Sequence, residues 1–117
     1  MPPKSEFVAH LLELMESAGP VRSRPMFGGY GIYLNERMFG LVADEVLYLK
    51  TDEQNRELFR EKNLGPFVYL KAGKPTETSY CQAPEEALED PDEMRRWVTV
   101  GYEAALRFAA KKTNRKK

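Results

Sequence analysis

The run Arg24-Pro25-Met26-Phe27-Gly28-Gly29-Tyr30-Gly31-Ile32-Tyr33 constrains the fold more than any other stretch of this chain. Gly28, Gly29 and Gly31 let the backbone take positive φ or approach a neighbouring strand closely, and Phe27, Tyr30 and Tyr33 supply large rings to pack around that bend. The segment reads as a kinked strand pair, and no catalytic residue type stands within it. A phosphate-binding glycine loop would need a helix immediately after the glycines, but Ile32-Tyr33-Leu34 continues as strand. The glycines are therefore read as architectural.

The rest of the chain organises around that bend. Val8, Leu11, Leu12 and Met15 follow helical spacing, Ser5 is placed to cap them, and Gly19-Pro20 supplies the stop. From Val21 to Lys50 β-branched and aromatic residues are broken by Asn35-Glu36 and Asp44-Glu45, which look like hairpin turns. Asn35 tolerates the left-handed conformation better than Glu36 does, so the register of the first turn is the weaker of the two. Thr51 with Gln54 resembles a capping box opening a short helix with Leu58 and Phe59 on its apolar edge, ended by Asn63-Leu64-Gly65-Pro66. Phe67-Val68-Tyr69-Leu70 and Thr78-Ser79-Tyr80-Cys81 flank a loop of turn formers and read as two further strands. Pro84-Glu85-Glu86 is a favourable helix opening, and Asp90-Pro91 restarts a longer helix with Met94, Trp97, Val98, Tyr102, Ala105 and Leu106 as its apolar stripe. The predicted fold class is α+β, an antiparallel sheet flanked by helices in the order α-βββ(β)-α-ββ-α. One domain is expected over residues 1–110, followed by a disordered basic tail over residues 111–117.

Composition narrows the function classes. The 117 residues, 42% of them hydrophobic, suffice for one core. Lys plus Arg equal Asp plus Glu at 18 each, so no net field steers the molecule to nucleic acid or to an anionic membrane. The charge is uneven, since Lys111, Lys112, Arg115, Lys116 and Lys117 crowd the C-terminus and leave the body mildly acidic. That tail could touch phosphate backbones weakly and without sequence preference, because no aromatic residue accompanies it. No stretch is long and apolar enough for a secretory leader or a membrane span, and a cytoplasmic location is expected.

Candidate chemistry is sparse. Cys81 stands alone and His10 is the single histidine, so neither a disulfide nor a zinc cluster can be assembled, and no metal, cofactor or catalytic residue is assigned. A Cys81–His10 nucleophilic pair has no support in spacing; a buried thiol and a boundary histidine are the simpler reading. Glu85, Glu86, Glu89, Asp90, Asp92 and Glu93 lack the glycine and alternating ligands of a calcium loop and read as helix-capping acids. Arg22 and Arg24 are more interesting, since at strand period both guanidinium groups emerge on one face. Tyr48 with Lys50, and Tyr69, Lys71 and Tyr80, alternate in the same way. Together with Tyr30, these are the candidate residues for binding a partner or an anion.

The motif residues carry a family resemblance. Arg24 to Tyr33, then Met38-Phe39-Gly40-Leu41-Val42-Ala43-Asp44 and Leu47-Tyr48-Leu49-Lys50, resemble the TfoX (Sxy) N-terminal domain family. Pro66-Phe67, Ser79-Tyr80 and Pro84-Glu85-Glu86-Ala87-Leu88 extend the likeness over nearly the whole chain. In that family Met26, Phe27, Gly28, Gly29 and Gly31 are fold determinants. The resemblance implies an architecture like that of secretion chaperones and a bacterial regulatory role in natural competence, exerted by co-activating transcription. It carries no catalytic residues, and this chain looks like a stand-alone member without the C-terminal domain of the family's namesakes. The expectation is a non-enzymatic module that contacts another protein, with the transcription machinery as a candidate partner. The alternatives are a weak nucleic-acid binder acting through the tail and a small-ligand-binding protein. Because a meander leaves open edges, pairing into a homodimer is also expected.

Overall fold

The computed structural model describes residues 6–26 and 28–115. Helix α1 spans Glu6–Leu14, and four strands follow without interruption, β1 over Val21–Met26, β2 over Gly29–Leu34, β3 over Arg37–Ala43 and β4 over Val46–Lys50. A short helix α2 (Arg56–Arg60) leads to β5 (Pro66–Lys71) and β6 (Lys74–Gln82), and helix α3 (Pro91–Arg115) closes the chain. The predicted α+β class and the order of elements both hold, with four strands in the first meander. Ser5, the expected cap of α1, lies outside the described residues, as does Phe27.

The six strands form one antiparallel sheet in the order β1-β2-β3-β4-β6-β5. After α2 the chain places β5 at the far edge and inserts β6 beside β4, where Leu49 faces Cys81 and Lys50 faces Tyr80. Three of the hairpins turn on two residues, Asn35-Glu36, Asp44-Glu45 and Ala72-Gly73, and all six take positive φ. Turns of that hand match the right-handed twist of the strands they join, which explains why Glu36 and Glu45 accept a conformation that costs most residues energy. A bulge between Ile32 and Tyr33 in the β2–β3 pairing keeps Phe39 on the buried face.

The helices lie against one face of the sheet. Val8, Leu11 and Met15 from α1, Met94, Trp97 and Val98 from α3, and Ile32, Phe39, Leu47 and Leu49 from the strands make one core. Burying a side chain of this size is worth about 1.5–3 kcal/mol, so this face supplies most of the drive to fold. Phe59 of α2 reaches the same core edge-on to Trp97, with ring centroids 5.4 Å apart. Leu58 and Leu106, read from the sequence as apolar contacts, are instead exposed, because α2 is one turn long and α3 presents Ala104 and Ala105 inward.

Two local expectations are corrected by the same packing. The Thr51–Gln54 capping box does not form, since the Thr51 hydroxyl donates to the Ser79 carbonyl. Asp52 and Asn55 instead close the turn before α2 reciprocally: the Asp52 carboxylate accepts from the backbone N–H groups of Gln54 and Asn55, and the Asn55 side chain accepts from the Asp52 N–H. Pro84-Glu85-Glu86 opens only a short 3-10 turn over Glu85–Leu88. The final helix continues through Lys111 and Lys112 to Arg115, while Lys116 and Lys117 fall outside the described residues.

Candidate functional site

Strand alternation sorts the sheet into two chemically different faces. On the helical side stand Ile32, Val42, Leu47, Leu49 and Cys81. On the other, the registers Arg22↔Tyr33, Arg24↔Gly31, Leu41↔Tyr48 and Lys50↔Tyr80 put these side chains together with Met38. Phe67 and Tyr69 of β5 complete that outer face. The Phe67 ring lies 5.0 Å from that of Tyr48 and stacks on Tyr69 at 6.4 Å.

Six of the candidate residues from the sequence therefore share one surface: Arg22, Arg24, Tyr48, Lys50, Tyr69 and Tyr80. Lys71 alternates with Tyr69 and is exposed at the tip of the β5–β6 hairpin, opposite Lys74. Tyr30 does not join them, because its neighbours Gly29 and Gly31 occupy the outer positions of β2 and turn its ring toward the core. Arg22 is held by Glu36 at 2.5 Å, and the Arg24 guanidinium lies 5.4 Å from the centre of the Tyr33 ring. Both arginines are exposed, so each contact contributes little to stability. Met26, Gly29 and Gly31 also line up on this side of the β1–β2 hairpin.

The outer face ends in a cleft of about 300 Å³, between the last turns of α3 and the start of β3. Lys50 lines it and is only 7% exposed. Its Nζ donates to the Ser79 hydroxyl at 2.6 Å and lies 4.1 Å from the centre of the Phe108 ring and 5.1 Å from that of Tyr80. Burial pulls the ammonium pKa down, and the Asp52 charge only partly offsets that. The Tyr80 hydroxyl is pushed up to about 12, first by burial and then by the nearby Tyr33. Phe108 carries no mark in the sequence as a site residue, and Lys112 stands out there only as part of the basic tail. The signal available was the spacing of Ala105, Phe108, Ala109 and Lys112 along one side of a helix.

Cys81 and His10 do not form a nucleophile–base pair. Cys81 faces the helical layer and burial raises its thiol pKa, whereas His10 is exposed on α1. Two of the acidic residues around the 3-10 turn Glu85–Leu88 have structural partners: Glu86 binds Lys62 at 2.7 Å, and Asp90 accepts from the Asp92 N–H. Among the described residues no group of His, Cys, Asp and Glu is arranged to hold a metal ion, and no helix is long and apolar enough to cross a membrane.

The chain is thus an α+β domain with helices on one face of its sheet and aromatic rings with basic side chains on the other. The chain belongs to the TfoX N-terminal domain family, which matches residues 13–105. It is similar to Protein Sxy of Escherichia coli K12, with 23% identity over 105 residues that cover 90% of this chain and 50% of Sxy. It is also 34% identical over 55 residues to the "Uncharacterized 12.7 kDa protein in trpE 5'region" of Spirochaeta aurantia, covering 44% of this chain and 48% of that protein. The chain thus spans about half the length of Sxy, and the shorter match covers about half of the second relative.

Proposed function

We propose that this domain is a regulatory interaction module of the competence-regulator type, which acts by contacting another protein through the β5 edge of its sheet. The observation that carries this reading is the exposure of Val68, Tyr69 and Leu70, at 46%, 41% and 72%. They lie consecutively on an edge strand whose outer backbone groups are unpaired in the sheet order. Single exposed apolar residues are ordinary on a protein surface, but three in a row on an open edge form a template for strand addition or apolar docking. Val68 and Leu70 point to one face of the sheet, and on the other the rings of Phe67 and Tyr48 continue the surface inward from Tyr69. The same edge supports pairing with a second copy of the chain, antiparallel across β5.

The reading is tested in the native host by replacing the gene with a Val68→Glu/Leu70→Glu variant and comparing transcript profiles with the deletion strain. Loss of the wild-type profile, with unchanged circular dichroism of the purified variant, supports contact through β5. A variant that restores the wild-type profile removes β5 from the function. Light scattering on the wild-type chain decides self-pairing, for which a monomer mass at high concentration is the negative result. A photo-crosslinker at position 70 separates partner classes: protein adducts that survive nuclease support the module reading, and adducts lost to nuclease overturn it.

A further inference from the structure

We propose that the cleft between the last turns of α3 and the β2–β3 turn binds a phosphoryl group of a small phosphorylated molecule, with Lys50 as the buried cation of its wall. The site is independent of the β5 edge. An ammonium has three N–H donors, and among the described residues Lys50 Nζ uses one, to the Ser79 hydroxyl. Its other close neighbours are the Phe108 and Tyr80 rings, which attract the charge but offer no lone pair. Among the described residues no carboxylate lies within ion-pair distance of it. Asp52, the nearest acid to act on it, is already held by Arg107 and by two backbone N–H groups. A nearly buried cation with unused donors is costly to maintain, and an anion in the adjoining cleft would offset that cost.

The walls of the cleft agree with an anionic ligand. Arg37 and Lys112 line it beside Lys50, and neither has an ion-pair partner among the described residues. Glu36, the acid that also lines it, is taken by Arg22. Three cations thus converge from three elements, the end of β4, the start of β3 and the last turns of α3. That arrangement suits a group with close to two negative charges and several acceptor oxygens spread in three dimensions better than a planar monoanionic carboxylate. The volume of about 300 Å³ accommodates a small metabolite rather than a bare ion, and Tyr80, Phe108 and Met38 provide an apolar wall for the remainder of the molecule.

The test is a nuclear magnetic resonance titration of the full chain with inorganic phosphate, adenosine monophosphate and adenosine, which separates the phosphoryl group from the ring that carries it. Saturable shifts at Lys50, Tyr80, Phe108 and Lys112 with both phosphates and none with adenosine are expected, together with a rise in the Lys50 side-chain pKa when phosphate is bound. The Arg37→Ala/Lys112→Ala variant changes exposed side chains and keeps the core, and its affinity is expected to fall at least about tenfold. Lys50→Met is expected to abolish binding, and the surface double variant keeps the test decisive if Lys50→Met fails to fold. Equal binding of adenosine, undiminished affinity in the double variant, or shifts that do not saturate in the millimolar range overturns the proposal.

Discussion

Arg107 grips Asp52 through two donors, Nε to Oδ2 at 2.5 Å and Nη2 to Oδ1 at 3.0 Å, and so ties the middle of α3 to the turn that follows β4. The same carboxylate accepts from the Gln54 and Asn55 N–H groups in the turn that precedes α2, and the Asn55 side chain beside it donates to the carbonyls of Lys50 and Val100. This small network fixes how α3 passes the end of the sheet, and with it the position of Phe108 over Lys50.

Removing the carboxylate by Asp52→Ala is expected to lower the unfolding free energy by about 2 kcal/mol, through loss of the hydrogen bonds that close the turn before α2 and of a charge-assisted fork. Urea unfolding of Asp52→Ala, Arg107→Ala and the double variant measures the coupling, expected near 1 kcal/mol for a pair that is mostly but not fully buried. Simple additivity of the two single losses would show that the fork adds nothing.

The pair also sets an acid limit on stability. Hydrogen bonding from Arg107 holds the Asp52 pKa below its ordinary value of 3.8, despite an opposing effect of burial. A depressed folded-state pKa means that the folded chain binds this proton less readily than the unfolded chain. The contribution is therefore complete above the unfolded value and lost as pH falls through the folded one. Asp52→Asn is expected to be less stable than wild type at neutral pH, with the gap closing in that acid window. A gap that persists unchanged into strong acid contradicts the assignment.

The two glycines of the first hairpin are predicted to respond differently. A Cβ on Gly29 would lie 2.1 Å from the Val42 carbonyl oxygen, whereas at Gly28, with φ of +78°, nothing stands within 4 Å. Gly29→Ala is expected to cost about 3 kcal/mol because backbone must move, and Gly28→Ala about 1 kcal/mol for the left-handed conformation alone. Equal losses in thermal unfolding would mean that the close approach of β2 to β3 is not the reason for glycine at Gly29.

Glu45 offers a change in the opposite direction. It sits at φ of +60° after Asp44 at +50°, in a turn that favours Asp-Gly. Glu45→Gly relieves the left-handed penalty while adding unfolded-state entropy, for a net gain of about 0.5 kcal/mol. Calorimetry is expected to show a rise in melting temperature of about 2 °C. A decrease would sink this account of the turn.

Tyr80 gives a spectroscopic handle on the cleft. With its hydroxyl pushed up to about 12, it is expected to ionise at the alkaline end of an ultraviolet titration of the folded chain. Tyr80→Phe should remove that last component. If the alkaline end of the curve is unchanged in the variant, Tyr80 is not shielded as the cleft requires.

Much of the site was legible because strand alternation is a local rule. Arg22 with Arg24, and Tyr48 with Lys50, fall on one face wherever those segments are strands, and the structure keeps them there. Tyr30 shows the limit of the rule: its residue type suited a binding surface, but its parity places it with Ile32 in the core. Leu106 fits the helical stripe by spacing and is exposed because the helix offers Ala104 and Ala105 to the sheet instead. Thr51 has the side chain of a cap, yet its hydroxyl is taken by Ser79, 28 residues away.

Sequence by itself determined the α+β class, the order of elements, the hairpin turns and the sidedness of each strand, because propensity, turn chemistry and periodicity act over a few neighbouring residues. Only the tertiary structure decided that β6 lies between β4 and β5, that α3 overhangs the end of the sheet, and that Lys50 is enclosed by Ser79, Tyr80 and Phe108. Those arrangements depend on the shape and volume of surfaces that meet across long stretches of chain. The carboxylate of Asp52 and the guanidinium of Arg107, 55 residues apart, carry no mark in the local pattern of the partner that each will find.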